Sequence, residues 1–334
     1  MDLSTTYLGL RLAHPYMVGA SPLAGTLDAV KRLEDAGSSA IVLHSLFEEQ
    51  ITLSSRGEIR HRDPADPRFA AALAHFPALD NYALSVDGYL ELIRQAKGAV
   101  AVPIVASLNG TTREAWMRTA LDIEQAGAHA LEVNLYEVVS DPRRSAMSVE
   151  TELRNVVLEL KRALHIPVAM KLSPYFTALG NVAERLDQAG VDGLILFNRF
   201  YQPDVDVDSL TLRTHPDLST PVELRLRLQW AALLHRRVKA SLAVTGGVST
   251  WEDGVKAILA GADAVQMVSA VLRNGLAQLG VMRDGLERYL ESHGFESVEA
   301  IKGRASLAAS EDPAAFQRAA YIRTLHGLRK AAGG

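Results

Sequence analysis

One phrase recurs four times along the chain: a helical stretch ends at Ala-Gly, and an apolar run rich in Val, Ile and Leu follows within a few residues. The copies are LEDAGSSAIVLHS from Leu33, IEQAGAHALEVNLY from Ile123, LDQAGVDGLILFNR from Leu186 and ILAGADAVQMVSA from Ile258. A glycine just past a helix can take the left-handed conformation that ends it, and a near-continuous apolar run suits a strand buried on both faces. The phrase therefore predicts the joint between a helix and a strand of a parallel sheet.

Four further apolar runs bring the number of predicted strands to eight. They are YMVGAS from Tyr16, VPIVASLNG from Val102, IPVAMKLSP from Ile166 and SLAVTGG from Ser241, and segments with helical periodicity separate the strands. The same alternation of strands and helices also occurs in an open doubly wound sheet. The count of eight and the polar residues at the strand ends favour an α/β fold in the form of a single (β/α)8 TIM barrel.

The length of the chain is compatible with one barrel that carries insertions. Its 334 residues are 48% hydrophobic, which is enough for a large core, and no Pro/Ser/Gly-rich linker divides them. We therefore expect one domain over residues 1–334, with loop insertions near residues 47–86, 137–148 and 200–222. Each insertion follows the C-terminal end of a strand, where the active-site loops of barrels lie. The alternative is that some of these loops serve a subunit contact.

Composition removes several classes of function. The 35 Lys and Arg against 39 Asp and Glu give a net charge of −4 without a long basic block, so nothing supports nucleic-acid binding. The N-terminus does not read as a signal peptide and no apolar run is long enough to cross a membrane, so we expect a cytoplasmic protein. The chain has no cysteine, which excludes disulfides, thiolate metal sites and cysteine nucleophiles. No metal site is predicted.

Lys171 is the most unusual residue among the predicted strand ends. A packed barrel interior favours branched aliphatic side chains, so a lysine within VAMKLSP requires an anionic or electron-rich partner. A ligand in the barrel mouth would supply that partner. The structural alternative is an ion pair with a neighbouring carboxylate.

The sequence TGGV brings Gly246 and Gly247 to the end of the seventh strand, and Ser269 follows the eighth. The loops after these two strands form the phosphate site of many barrels, because glycine lets the backbone approach a phosphate. The alternative is a tight turn before a helix that Ser249 or Thr250 caps. Both interpretations can hold together.

Two asparagines end the fourth and sixth strands in equivalent positions, Asn134 and Asn198. Their amides offer a donor and an acceptor, which suit the edge of a ring with alternating carbonyl and N–H groups, such as a flavin or a pyrimidine. An isolated asparagine is more often a turn former. A pair in equivalent places favours ligand binding.

The motifs also resemble a known family, in order and over nearly the whole chain. The segments DLSTTYLGLRLAHPYMVGAS, ALEVNLY, IPVAMKLSP, VTGGV and DAVQMVSAVL resemble the FMN-dependent dihydroorotate dehydrogenase family, especially its soluble class 1 branch. The resemblance implies FMN at the C-terminal mouth of the barrel and oxidation of dihydroorotate to orotate, a step of pyrimidine biosynthesis, by hydride transfer to the flavin. It also implies a homodimer. Nothing in the chain indicates its electron acceptor.

The resemblance assigns roles to individual residues. Those assigned to the cofactor are Ala20, Ser21, His44, Asn134, Lys171, Asn198, Gly246, Gly247 and Ser269. Those assigned to the substrate are Asn81, Asn134 and Asn198. Lys171 is similar to the catalytic lysine beside the flavin ring, and Gly246, Gly247 and Ser269 to the phosphate cradle. Asn81 lies in LDNYALSVDGYLELI, where the local register is shorter than in the family.

Two departures from the family concern the chemistry. After the fourth strand the family reads Asn-Leu-Ser-Cys-Pro-Asn, with cysteine or serine as the base, whereas this chain reads Asn-Leu-Tyr-Glu-Val-Val. Aligned without gaps, Glu137 takes the base position, and a carboxylate can accept a proton. Tyr136, Ser140 and a purely structural role for Glu137 are the alternatives. His44 stands where the family often has a lysine, which alters the charge around the substrate.

The residues that differ from the family's pattern are those expected to remove the proton and to contact the substrate, whereas most of the flavin-binding residues are kept. The leading hypothesis is therefore an FMN oxidoreductase acting on a CH–CH group, with dihydroorotate or another small cyclic or carbonyl compound as substrate. A second hypothesis is a phosphate-handling lyase or isomerase in which Lys171 is a base or forms a Schiff base. A third is a flavin-binding partner protein without turnover.

Overall fold

A ring of parallel strands forms the centre of the computed structural model, which describes residues 1–48, 50–51, 84–110, 113–199, 201–214, 217–308 and 310–332. The strands in chain order are β1 (Thr5–Tyr7), β2 (Leu10–Leu12), β3 (Tyr16–Val18), β4 (Ile41–Phe47), β5 (Ile104–Gly110), β6 (Ala130–Leu135), β7 (Val168–Leu172), β8 (Gly193–Leu196), β9 (Pro203–Asp206), β10 (Thr211–Thr214), β11 (Ser241–Thr245) and β12 (Ala264–Met267). Within the described residues, eight of them close into a barrel in the order β11-β12-β3-β4-β5-β6-β7-β8.

Among the described residues, one α-helix lies between each pair of successive barrel strands, and four further helices follow the last strand, β12. The helices in chain order are α1 (Leu27–Asp35), α2 (Val86–Ala99), α3 (Arg113–Ala126), α4 (Ala146–Ala163), α5 (Leu179–Gln188), α6 (Pro221–Leu234), α7 (Trp251–Ala260), α8 (Ser269–Asn274), α9 (Gln278–Ser292), α10 (Val298–Ile301) and α11 (Pro313–Ala332). All eight strands predicted from the sequence are barrel strands. The last of them, β12, pairs in parallel with the first, β3, so the sheet closes and the (β/α)8 prediction is confirmed.

The repeated Ala-Gly phrase has the predicted conformation. Gly37, Gly127, Gly190 and Gly261 have φ angles of +91°, +97°, +91° and +114°, which lie in the left-handed region. This region is costly for a residue with a Cβ atom, so glycine allows the helix to end and the chain to turn at once into the next strand.

In three of the four copies of the phrase, an acidic residue three positions before the glycine contributes a second stabilising contact. One oxygen of Glu34 accepts from the backbone N–H groups of residues 101 and 102, at 2.6 and 3.1 Å. Glu124 does the same for residues 165 and 166, at 2.6 and 2.9 Å, and Asp187 for residues 239 and 240, both at 2.8 Å. Each carboxylate therefore anchors the segment that leads into a barrel strand, because a charged acceptor forms strong hydrogen bonds to backbone donors.

The antiparallel hairpin β1–β2 fills one end of the barrel interior. Its residues Tyr7, Leu8 and Leu12 are buried in one cluster with inward-facing residues such as Met17 and Ala169. A Cβ atom on Gly193 would lie 2.4 Å from Leu8 Cδ2, so this glycine makes room for the hairpin. The opposite end, at the C-terminal ends of the strands, carries the polar residues.

The second predicted insertion, and the third apart from residues 200, 215 and 216, lie in the part of the chain that the structure describes, and both follow the C-terminal end of a barrel strand. Residues 137–145 form a loop between β6 and α4, and the insertion after β8 contains the antiparallel hairpin β9–β10. Of the first insertion, residues 49 and 52–83 lie outside the described residues. None of the described helices is long and apolar enough to cross a membrane.

Candidate functional site

A buried ion pair lies inside the barrel. Glu132 on β6 is 1% exposed, and its Oε1 lies 3.1 Å from Lys171 Nζ on the neighbouring strand β7. Gln266 on β12 donates through Nε2 to Oε2 of the same carboxylate, at 2.8 Å. The alternative interpretation of Lys171, an ion pair with a carboxylate, is therefore observed. It does not exclude a ligand, because an ammonium has three N–H donors and this contact uses one.

Glu132 and Gln266 were not predicted as site residues. Residues two apart on a strand point to the same side, so Glu132 shares its side of β6 with Asn134. A glutamate in the run ALEVNL and a glutamine in the run AVQM interrupt otherwise apolar strands. Those interruptions are the signal that could have identified them.

Several buried polar atoms within the barrel strands or just after them form no hydrogen bond with any described residue. They are Ser21 Oγ, His44 Nε2, Asn134 Oδ1, Asn198 Nδ2 and Gln266 Oε1. Buried polar atoms are almost always hydrogen-bonded, since an unpaired one costs about 1–3 kcal/mol. Four of these residues were predicted to bind the cofactor, and the set includes both donors and acceptors. A polar ligand in the barrel mouth would satisfy them.

His44 is held in a mostly buried position on β4. Its Nδ1 lies 3.5 Å from the carbonyl oxygen of Ala24, and its ring meets that of Tyr89 edge-on, with centroids 5.1 Å apart. Burial lowers the pKa of His44, which favours the neutral imidazole at pH 7. A carbonyl can only accept, so Nδ1 carries the proton in this contact and Nε2 is an acceptor. His44 is thus suited to a ligand N–H group.

The predicted phosphate residues are connected through Ser219. The backbone N–H of Gly247 donates to Ser219 Oγ at 3.0 Å, and the N–H of Ser219 donates to Ser269 Oγ at 3.0 Å. Gly246 and Gly247 have φ angles of +87° and +82°, and a Cβ atom on Gly247 would lie 2.5 Å from the backbone nitrogen of Leu224. The turn therefore requires glycine.

The alternative interpretation of this turn, as the lead into a capped helix, is also observed. Thr250 caps α7: its side chain accepts from the N–H of Asp253, and the Asp253 carboxylate accepts from the N–H of Thr250 at 3.2 Å. Capping accounts for the residues after the two glycines. Phosphate binding by Gly246, Gly247 and Ser269 stays a prediction.

The loop after β6 holds Glu137 in an ion pair. Arg144 contacts Glu137 and also Glu152, the latter at 2.5 Å. Glu137 and Lys171 line the same cavity of about 580 Å³, together with Ser173 and other residues of the β6–α4 and β7–α5 segments. Glu137 therefore borders a cavity together with Lys171, but its carboxylate is already engaged by an arginine. None of the five residues with unpartnered buried polar atoms lines this cavity. Its role as the base stays a prediction.

The remaining predicted site residues lie as follows. Ala20 follows β3, is partly buried and packs against the cluster inside the barrel. Tyr136 is partly buried, and Ser140 is exposed in the loop after β6. Asn81 lies outside the described residues.

Comparison with known proteins identifies the family. The family model for dihydroorotate dehydrogenase matches residues 78–290. A dihydroorotate dehydrogenase B (NAD(+)) catalytic subunit from Thermoplasma volcanium is 26% identical over 314 residues, which span 90% of this chain and 98% of that protein. A putative dihydroorotate dehydrogenase A (fumarate) from Aeropyrum pernix is 28% identical over 316 residues, 91% of this chain and 97% of that protein.

A third relative has a different substrate in its name. The NAD-dependent dihydropyrimidine dehydrogenase subunit PreA from Escherichia coli is 24% identical over 331 residues, which span 91% of this chain and 77% of that protein. The names of the three relatives are all those of oxidoreductases, but the substrates that these names state differ. Because the family match covers well over half of the chain, the protein belongs to the dihydroorotate dehydrogenase family of oxidoreductases.

Proposed function

We propose that the protein is an FMN-dependent oxidoreductase that oxidises a CH–CH bond of a small cyclic substrate, with dihydroorotate as the first candidate. The observation that carries the proposal is the set of buried polar atoms, within the barrel strands or just after them, that have no partner among the described residues. A flat heterocycle with alternating donors and acceptors along its edges has the chemistry to satisfy such a set. The names of the family relatives support the same class of reaction.

The residues present fit a flavin. Asn198 offers an N–H donor, while Asn134 and Gln266 offer carbonyl acceptors and His44 a ring-nitrogen acceptor. When bound, FMN would accept the hydride that the substrate loses. Gly246, Gly247 and Ser269 would lie beside its phosphate, because glycine carries no side chain of its own and lets the backbone approach an anion.

Lys171 would stabilise negative charge on the bound ring. Glu132 holds Nζ of Lys171 at 3.1 Å, while the other two N–H groups can donate to an electron-rich atom in the cavity. The same contact disfavours the lyase hypothesis. A lysine needs a free amine to form a Schiff base, whereas Nζ of Lys171 is already engaged by the Glu132 carboxylate.

Oxidation of a CH–CH bond releases a proton together with the hydride, so the site needs a base. We propose Glu137 for this role because it lines the cavity that Lys171 also lines. To accept the proton, its carboxylate must leave Arg144 and turn to the substrate. Tyr136 and Ser140, on the same loop, are the other candidates.

The purified protein tests the proposal directly. We expect a yellow protein whose flavin absorbance decreases when dihydroorotate is added without oxygen. Asn198→Ala should weaken FMN binding by about 2- to 10-fold, the effect of one lost hydrogen bond. Asn181→Ala, at an exposed position on α5, is the matched control. A protein that neither retains nor binds FMN would contradict the proposal, while bound flavin that no related substrate reduces would favour a partner protein without turnover.

We also propose that the protein is a homodimer in which the β9–β10 hairpin contributes to the contact. The hairpin exposes Val205, Val207, Leu210 and Leu212, which are 60–84% accessible. Val205 and Leu212 are paired across the two strands, so their side chains form one patch. An exposed patch of large apolar residues is typical of an interaction surface.

A further inference from the structure

Most of the cations around the barrel mouth have carboxylate partners. Lys171 is paired with Glu132, and Arg144 with Glu137 and Glu152. Two arginines differ from them. Among the described residues, no carboxylate lies within ion-pair distance of Arg199 or Arg227, both of which are at least partly buried.

Arg199 follows Asn198 at the end of the sixth barrel strand, β8. Its guanidinium lies over the ring of Tyr201, 5.3 Å from the centroid, so an aromatic face covers one side of the charge. Its Nη1 atom is buried and has no hydrogen-bond partner among the described residues. A buried donor on a charged group costs more than a neutral one when it is left unpaired.

Arg227 projects from α6 toward the turn after the seventh barrel strand, β11. The side chain is 7% exposed, and its Nε and Nη1 donate to the carbonyl oxygens of Thr245 and Glu223, both at 2.7 Å. These acceptors fix the plane of the guanidinium but carry no net charge. If Gly246 had a Cβ atom, it would lie 3.0 Å from Nη2 of Arg227, so this end of the guanidinium is adjacent to the glycine turn.

The carboxylate of Glu223 is engaged elsewhere, because its Oε2 accepts from the N–H of Thr220 at 2.7 Å. Its charge still acts on Arg227 from one helical turn away. Burial is nevertheless the largest effect and lowers the pKa of Arg227, and the positive charge of Arg199 lowers it as well. The two arginines also belong to neighbouring strand ends, because β8 and β11 are adjacent parallel strands in which Leu196 is paired with Val244. Two guanidinium groups in a partly desolvated place repel each other unless an anion joins them.

We propose that Arg199 and Arg227 form an oxyanion subsite at the ends of β8 and β11 that binds a carboxylate or phosphate group of a ligand. Guanidinium groups suit this task, since their planar forks match the oxygens of either anion. The inference rests on the proposed function in that the ligand is the substrate or the cofactor of the same site. The anion is the carboxylate of an orotate-like substrate or the phosphate of the flavin.

Two pairs of ligands, measured on the full-length protein, separate these sources. Orotate and uracil differ by the carboxylate, and FMN and riboflavin differ by the phosphate. Their affinities for the wild-type protein, Arg199→Met and Arg199→Lys are measured by calorimetry for the pyrimidines and by flavin fluorescence for the flavins. Arg225→Met is the matched control, because Arg225 lies on α6 but is exposed.

The Arg199→Met variant is expected to lose on the order of 10- to 100-fold in affinity for the anionic member of one pair, while its affinity for the neutral member stays the same. A loss for orotate identifies the substrate carboxylate, and a loss for FMN identifies the phosphate. Arg199→Lys keeps the positive charge but lacks the planar guanidinium, so its affinity for the anionic ligand should lie between those of the wild type and Arg199→Met. Circular dichroism checks that each variant is folded.

The proposal is overturned if wild-type protein prefers neither orotate over uracil nor FMN over riboflavin. It is also overturned if Arg199→Met changes neither preference, or changes one no more than Arg225→Met does. The orotate and uracil measurements require no flavin. A protein that binds no flavin therefore refutes the proposed function while the pyrimidine pair still tests the subsite.

Discussion

The ion pair between Glu132 and Lys171 makes a prediction about stability that distinguishes the two partners. Replacing Lys171 by Met leaves the Glu132 carboxylate, which is 1% exposed, with only the Gln266 hydrogen bond. Removing one partner of a buried pair costs about 3–5 kcal/mol. The lysine side chain is 11% exposed and lines a cavity, so we expect Lys171→Met to lower the free energy of unfolding by about 3 kcal/mol, the lower end of that range.

Removing the carboxylate instead of the ammonium should lower the free energy of unfolding by less. In Glu132→Gln the ammonium can reach water through the cavity, so we expect a loss of about 1–2 kcal/mol, comparable to one hydrogen bond to a charged group. The double variant leaves no unpaired charge. Its loss should therefore be smaller than the sum of the single losses, by about 2 kcal/mol.

Urea unfolding followed by circular dichroism measures all members of this cycle. Lys256→Met is the matched control, because Lys256 is paired with Asp253 but its side chain is 55% exposed, and such a pair contributes less than about 1 kcal/mol. Additive single losses, or a larger loss for Glu132→Gln than for Lys171→Met, would refute this reasoning.

Three further predictions concern the glycine turn, the loop and the hairpin. Gly247→Ala should lower the melting temperature clearly, since the new Cβ atom would lie 2.5 Å from Leu224 N at a left-handed φ angle; unchanged melting would contradict the close approach. Glu137→Gln should slow flavin reduction by about 10²- to 10⁴-fold with FMN affinity unchanged, and a rate within threefold of the wild type would exclude Glu137 as the base. Leu212→Asp should convert a dimer to monomers in analytical ultracentrifugation, whereas an intact dimer would remove the hairpin from the contact.

The barrel could be predicted from the sequence because its signals are local. The left-handed glycines at positions 37, 127, 190 and 261 end helices wherever the same short phrase occurs, and each is followed by a buried strand. The two hairpins were not predicted as hairpins. β9 and β10 are four residues each and are largely exposed, so hydrophobic periodicity does not mark them.

The site was predictable only where a residue's position along the strand was enough. Ser21, Asn134 and Asn198 stand at or just after strand ends and were identified there, whereas His44 lies in the middle of β4, which continues to Phe47. The pairing of Lys171 with Glu132 was predicted only as a type of contact, because the partner comes from the adjacent strand.

Arg227 was missed for a different reason. It lies within a helix rich in leucine and arginine, ELRLRLQW, where the sequence does not show which arginine is buried. Only the packing of α6 against the turn after β11 separates buried Arg227 from exposed Arg225. Contacts between segments distant in sequence determine which of two similar residues in a helix is buried.

The hairpin that fills one end of the barrel has a consequence for how the chain folds. Thr5 Oγ1 donates to the carbonyl oxygen of Asp263 at 2.9 Å, and Leu8 N donates to Ser241 Oγ at 3.1 Å, so these residues contact partners 258 and 233 positions later. Contacts with such separation form slowly, because closing a long loop costs conformational entropy before the contact stabilises the chain. During synthesis, residues 5–12 leave the ribosome before any barrel strand, yet their docking surface is complete only after β12 has been made.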